Sequence, residues 1–150
     1  MKNIFIIFFI FGLFSTLNSI EQITYRLSRG FLGRLIDSFS VTFNRISGIQ
    51  AEYLEARNQN PELEPKGRKV YNLTCEELNL PSLKELFKLF NKINFPQETN
   101  WKDANLFDVP IWHLIVDDKD YFSNRGTDFL AEFAELVNLT NIKEYCKNNY

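Results

Sequence analysis

The stretch LSRGFLGRLIDSFSVTFNRISGIQAEY, residues 27–53, admits two periods. Its apolar residues Leu27, Phe31, Leu35, Phe39, Phe43, Ile46, Ile49 and Tyr53 are separated by steps of 4, 4, 4, 4, 3, 3 and 4. Such steps make the stripe of an amphipathic helix. Inside it, Phe39-Ser40-Val41-Thr42-Phe43-Asn44 alternates strictly, as a half-buried strand does. Gly30, Gly33 and Gly48 also weaken any single long helix. The spacing predicts helices over 24–37 and 48–58 and leaves 38–45 open. Arg26, Arg29, Arg34 and Arg45 give the segment a mildly basic side, which Glu21 and Asp37 dilute. A solvated helix face accounts for it better than a membrane-binding one.

The rest of the chain reads more plainly. NQNPELEPKG, residues 58–67, has two prolines and a glycine and predicts a loop. Lys69 to Thr74 is rich in β-formers and suits a short strand. In NLPSLKELFKLFNKINFP, residues 79–96, Leu83, Leu86, Phe87, Phe90 and Ile93 share one helical face, and Glu85 precedes Lys88 by three. Pro81 belongs in the first turn and Pro96 beyond the end. Val109 to Val116 is a continuous apolar run, the length of a strand covered on both faces. Asp117 to Gly126 follows as a turn or loop. Thr127 is placed to cap a helix with Asp128 in its first turn and Phe129, Leu130, Phe133, Leu136 and Val137 along one side. A last short helix from Thr140 would set Ile142, Tyr145 and Cys146 together.

These elements predict a helix-rich α+β domain with a small sheet. The alternative takes 39–45 as a strand. The order then becomes β-α-β-α-β-α, a three-strand α/β fold with a parallel sheet. Ligands would bind at its C-terminal strand ends, where Asn44, Cys75 and Asp117 would gather.

Residues 1–19, MKNIFIIFFIFGLFSTLNS, have the layout of a cleavable secretory signal: Lys2, an apolar run from Ile4 to Phe14, then a small polar end. The run is shorter than the about 20 residues that a spanning helix needs. This division gives a signal at 1–19 and one globular domain at 20–150, secreted or held in an endomembrane lumen, with no membrane span in the mature chain. Losing Lys2 changes the balance from 17 basic and 19 acidic residues to 16 and 19, a net of −3. That surface has no pull toward nucleic acid.

In an oxidising compartment Cys75 and Cys146 would be expected to form one disulfide. Asn72-Leu-Thr74 and Asn138-Leu-Thr140 are N-glycosylation sequons. The chain's sole histidine, His113, lies in VPIWHLIVDDKDYF, residues 109–122, with Asp117, Asp118 and Asp120 after it. As a strand this places Ile111, His113 and Ile115 on one side and Trp112, Leu114 and Val116 on the other. A histidine beside a carboxylate can serve as an acid or base. The bland reading is a hydrophobic strand ending in a charged turn.

Zinc wants three or four His, Cys, Asp or Glu ligands, and with one histidine and two cysteines expected to pair the chain is a poor source of them. Calcium-loop spacing fails from Asp117, Asp118 and Asp120 alike; a looser site on these three is the lesser alternative to a charged turn, and no metal or cofactor is expected. No G-x-S-x-G, G-x-x-x-x-G-K-[ST] or H-E-x-x-H is present. Two functions follow as expectations. The first is a secreted glycoprotein that binds a protein partner or an apolar ligand. The alternative is a secreted hydrolase using His113 with Asp117, Asp118 or a neighbouring aspartate.

Overall fold

A computed structural model describes residues 19–31, 34–55, 67–103, 109–125 and 127–150. The expected signal up to residue 18, and nearly all of the loop at 58–67, lie outside the described residues. Seven strands form one mixed sheet: β1 (Gln22–Phe31), β2 (Arg34–Asn44), β3 (Gly48–Glu55), β4 (Lys69–Leu73), β5 (Asn100–Trp101), β6 (Ile111–Val116) and β7 (Lys119–Ser123). Among the described residues three helices accompany it: α1 (Leu83–Phe90), α2 (Asp128–Leu136) and α3 (Leu139–Asn148). The sheet order is β4-β3-β2-β1-β6-β7-β5. Every pairing is antiparallel except β5 with β7.

Both architectures expected from the sequence are overturned. The fold is mostly sheet, with 39% strand against 25% helix, and neither helix-rich nor a three-strand parallel sheet. Of the segments expected as helices at 24–37 and 48–58, residues 24–31 lie in β1, 34–37 in β2 and 48–55 in β3, while 32–33 and 56–58 lie outside the described residues. The physical reason lies in the arithmetic of the stripe. A step of four residues returns to the same side of a helix, but it is also two full periods of a strand. The intervening residues decide. Thr24, Ser40 and Thr42 are β-branched or small polar residues that stand well on the open side of a sheet.

Register shows what the alternation does. Tyr25 pairs with Val41 and Leu114, and Val41 pairs with Ala51. All four are buried, and with Ile23, Phe39, Phe43 and Tyr53 they make one apolar face. The helices close that face. Phe90 of α1 packs edge-on to Phe43 at 5.6 Å, and Phe133 of α2 reaches both Phe43 and Tyr25 at 6.2 Å. α3 docks on β4 through Tyr71, whose hydroxyl donates to the Cys146 carbonyl at 3.0 Å. Burial pushes the Tyr25 hydroxyl up to about 12 and the Cys146 thiol up to about 11.

Local signals agree in part. Ser82 caps α1, accepting from the Glu85 N–H, so the helix starts at Leu83 and Pro81 precedes the cap instead of lying in the first turn as expected. Thr127 stands at the start of α2 but makes no side-chain cap bond. Leu86, Phe87 and Phe90 are fully buried, and Lys88 donates to Glu85 at 2.7 Å. The β2–β3 turn is held by Asn44, whose Oδ1 accepts from the Ile46 and Ser47 N–H groups, and it closes on Gly48 at φ +92°. β1 is bulged at Arg29/Gly30. There the guanidinium of Arg29 grips Asp37, which is 4% exposed, and so offsets the cost of burying that carboxylate.

The expected disulfide is not formed. Cys75 and Cys146 are free thiols and their sulfurs are not at bonding distance. Cys146 faces the core from α3, fully buried, while Cys75 lies beyond the end of β4 in a turn closed by the Leu80 N–H on its carbonyl. Tyr71 rather than a sulfur ties α3 to β4.

Phe133 sits where sheet and helices meet. Phe133→Ala is expected to destabilise the fold by about 3–5 kcal/mol, measured as a shift of the urea midpoint with unchanged slope.

Candidate functional site

β6 places its side chains as alternation requires. Leu114 is fully buried, and Trp112 and Val116 pack against the core. Ile111, His113 and Ile115 point to the opposite face, where Ile111 is 38% exposed. The run is therefore covered on one face, not on both. On the open face His113 Nδ1 lies 3.2 Å from Asp120 Oδ1, and its ring meets the Phe122 ring edge-on at 4.9 Å. Arg26 of β1 is its cross-strand neighbour on the other side. The pair is half in solvent: the side chains are 28% and 54% exposed.

The three aspartates have separate tasks. Asp120 stands beside His113 on β7. Asp117, at φ +52° in the β6–β7 turn, uses one carboxylate oxygen to accept from the Glu21 and Gln22 N–H groups at 3.0 and 2.9 Å. Its own N–H donates to the Gln22 carbonyl. Asp118 is exposed in the same turn. Of the three aspartates weighed as a partner for His113, Asp120 is the one beside it, and Asp117 is a clasp on the start of β1. Among the described residues no group of three His, Cys, Asp or Glu side chains gathers as a metal site would require.

Asn44, Cys75 and Asp117 do come to one edge of the sheet, although the sheet is not parallel. β2, β4 and β6 alternate with β1 and β3 and all run the same way, so their C-terminal ends share that edge. The entry of β1 is fastened there. The Ile20 N–H donates to Asn91 Oδ1 at 3.1 Å, and Arg45 donates twice to the Ile20 carbonyl while its guanidinium lies 4.7 Å over the Phe87 ring. Between this entry, the end of α1 and the β6–β7 turn lies a pocket of about 520 Å³. Ile20, Ile93, Phe95, Val116 and Tyr121 give it an apolar lining. Lys119 stands at its wall, its ammonium 5.0 Å over Tyr121 and donating to the Pro96 carbonyl.

Of this pocket only Asp117 was among the sequence candidates. Ile20, Ile93, Phe95 and Tyr121 come from separate segments, and nothing local marks them as neighbours. Both sequon asparagines are exposed: Asn72 on β4, accepting from Gln50 at 3.1 Å, and Asn138 at the α2–α3 junction with φ +50°. No helix among the described residues is long and apolar enough to cross a membrane. Comparison with protein families, with curated proteins and with solved structures finds no match.

Asp117→Ala removes two backbone caps and puts a β-carbon residue without a polar side chain at positive φ, so it should cost about 2 kcal/mol of stability. Asp117→Asn keeps an acceptor and tolerates that backbone, so it should retain most of the stability. Thermal melts of the two variants check this; equal losses would deny the clasp.

Proposed function

We propose that this protein is a secreted binding module that takes a small apolar ligand in the pocket at the strand-end edge. One observation carries the reading. The pocket of about 520 Å³ is apolar on most of its wall, with Ser19, Asn91, Asp117 and Lys119 as its polar lining, and falls within the usual size range of small-molecule sites. The large phenylalanines do not offer a rival cavity. Phe39, Phe43, Phe87, Phe90 and Phe133 are consumed by packing and are at most 2% exposed. The exported location rests on the layout of residues 1–19 and is supported by two exposed sequon asparagines. Free thiols add nothing to it, since the pairing that export would favour is not made.

A second reading, the hydrolase, is favoured by the contact of His113 with Asp120. It is the weaker one. The pair sits on an open sheet face with Phe122, Arg26 and isoleucines around it, and none of these is a nucleophile.

The test is a titration with the fluorescent apolar probe N-phenylnaphthylamine. The proposal expects saturable enhancement with Kd of about 10 μM, and Val116→Phe, which fills the pocket, should weaken it about tenfold, or 1.4 kcal/mol. His113→Ala should leave it unchanged. No saturable binding, or full binding by Val116→Phe, would overturn the assignment. Ester hydrolysis by the wild-type chain that disappears in His113→Ala would move the case to the second reading.

A further inference from the structure

We infer that the open face of the sheet carries a separate site for a sugar bearing an oxyanion. Three serines on neighbouring strands, Ser28 of β1 with Ser38 and Ser40 of β2, make a low floor, because no side chain there rises above a hydroxyl. Around it stand Arg26 of β1 on one side and, on the other, Glu52 of β3 with Arg68, which leads into β4. Leu54 supplies one apolar wall. The hollow has a volume of about 340 Å³, at the small end of the range for ligand sites.

The arrangement follows from the strand register. Arg26 lies across from Ser40, Ser40 from Glu52, and Ser28 from Ser38, which in turn faces Leu54. Arg68 reaches back to Glu52, with nitrogen and oxygen 3.4 Å apart. That contact holds the second guanidinium over the floor. The pair is largely solvated, so it positions more than it stabilises.

The donor set names the ligand class. Two guanidiniums against one carboxylate leave an excess of one positive charge, and guanidiniums match carboxylate or sulfate with paired N–H groups. A bare anion would meet Glu52 unfavourably. A sugar hydroxyl can instead donate to Glu52, and serine hydroxyls can both donate to and accept from its neighbours. Leu54 suits the C–H side of a ring. An acidic monosaccharide unit therefore uses every group in the hollow, whereas inorganic phosphate or a neutral sugar uses only some. The site is independent of the apolar pocket, which lies at the strand ends and shares no residue with it.

The experiment is a heteronuclear NMR titration of the full mature chain with glucuronate, with a glucose sulfate ester and with glucose. At least one of the two acidic sugars should shift the amides of Ser28, Ser38, Ser40 and Leu54 in a saturable way, and which of them does so identifies the oxyanion. Glucose should bind at least about tenfold more weakly, and Arg26→Ala and Arg68→Ala should each weaken the acidic sugar by about tenfold. Ser40→Val keeps the charge, suits a strand and fills the floor; it too should abolish the shifts. If Ser40→Val binds as well as wild type, the attraction is only diffuse charge and the site is refuted. Failure of both acidic sugars to shift these amides at about 10 mM, where even an affinity worth a few kcal/mol would show, refutes it equally.

Discussion

The structure depends on one constraint: alternation along β2, β3 and β1 up to its bulge at Arg29/Gly30 sends every second side chain to the same face. Burying that face against three helices fixes everything else. Ile23, Val41, Phe43 and Ala51 have no exposed surface, and Phe43, Phe90 and Phe133 interlock above them with ring centres 5.6–6.2 Å apart. A slip of one residue in β2 would turn Phe39, Val41 and Phe43 to water and bring Ser38, Ser40 and Thr42 into the core. The apolar free energy at stake is far larger than that of any surface contact described above.

The same constraint leaves the opposite face uncovered and determines its chemistry. Apart from the Arg29–Asp37 pair at the bulge, most of what is not apolar on these strands lies there, so arginines, serines, a glutamate and the lone histidine share a surface without having any sequence motif in common. It also brings the ends of β2, β4 and β6 to one edge. There the chain entering β1 is fastened by Asn91, Arg45 and Asp117, and an apolar hollow remains beside it. Charged groups at that edge serve mainly as caps and clasps. This is why a cluster of aspartates that draws the eye in the sequence separates into a clasp, an exposed turn residue and a partner for His113.

How much of this was legible in the sequence varies with the kind of signal. The apolar face of α1 was legible, because Leu83, Leu86, Phe87 and Phe90 recur at steps that no strand can satisfy, but its start was not, since Pro81 was placed in the first turn and the cap is Ser82. The two sides of β6 were legible from parity alone, as Leu114 and Ile111 show. The first half was misread, because Leu27, Phe31, Leu35, Phe39 and Phe43 are spaced by four, which fits either period. Val109 to Val116 was expected to be covered on both faces, but continuous hydrophobicity does not say what lies opposite. The disulfide expectation counted cysteines without their positions, and Cys146 proved to be a core residue of α3. The pockets were beyond reach, since their walls come from segments as distant as Ile20 and Tyr121 or Ser28 and Arg68.

The central claim is that β1 is a strand held between β2 and β6, with Thr24 beside Thr42 on one side and Ile115 on the other. Nuclear Overhauser spectroscopy of the labelled chain tests it most directly. Cross-strand contacts between backbone protons of Thr24 and Ile115, and of Arg26 and His113, should be present and their amides protected from exchange. Sequential amide contacts of helical type through Gln22 to Arg29, with no contact to residues 111–116, would contradict the fold and everything placed upon it.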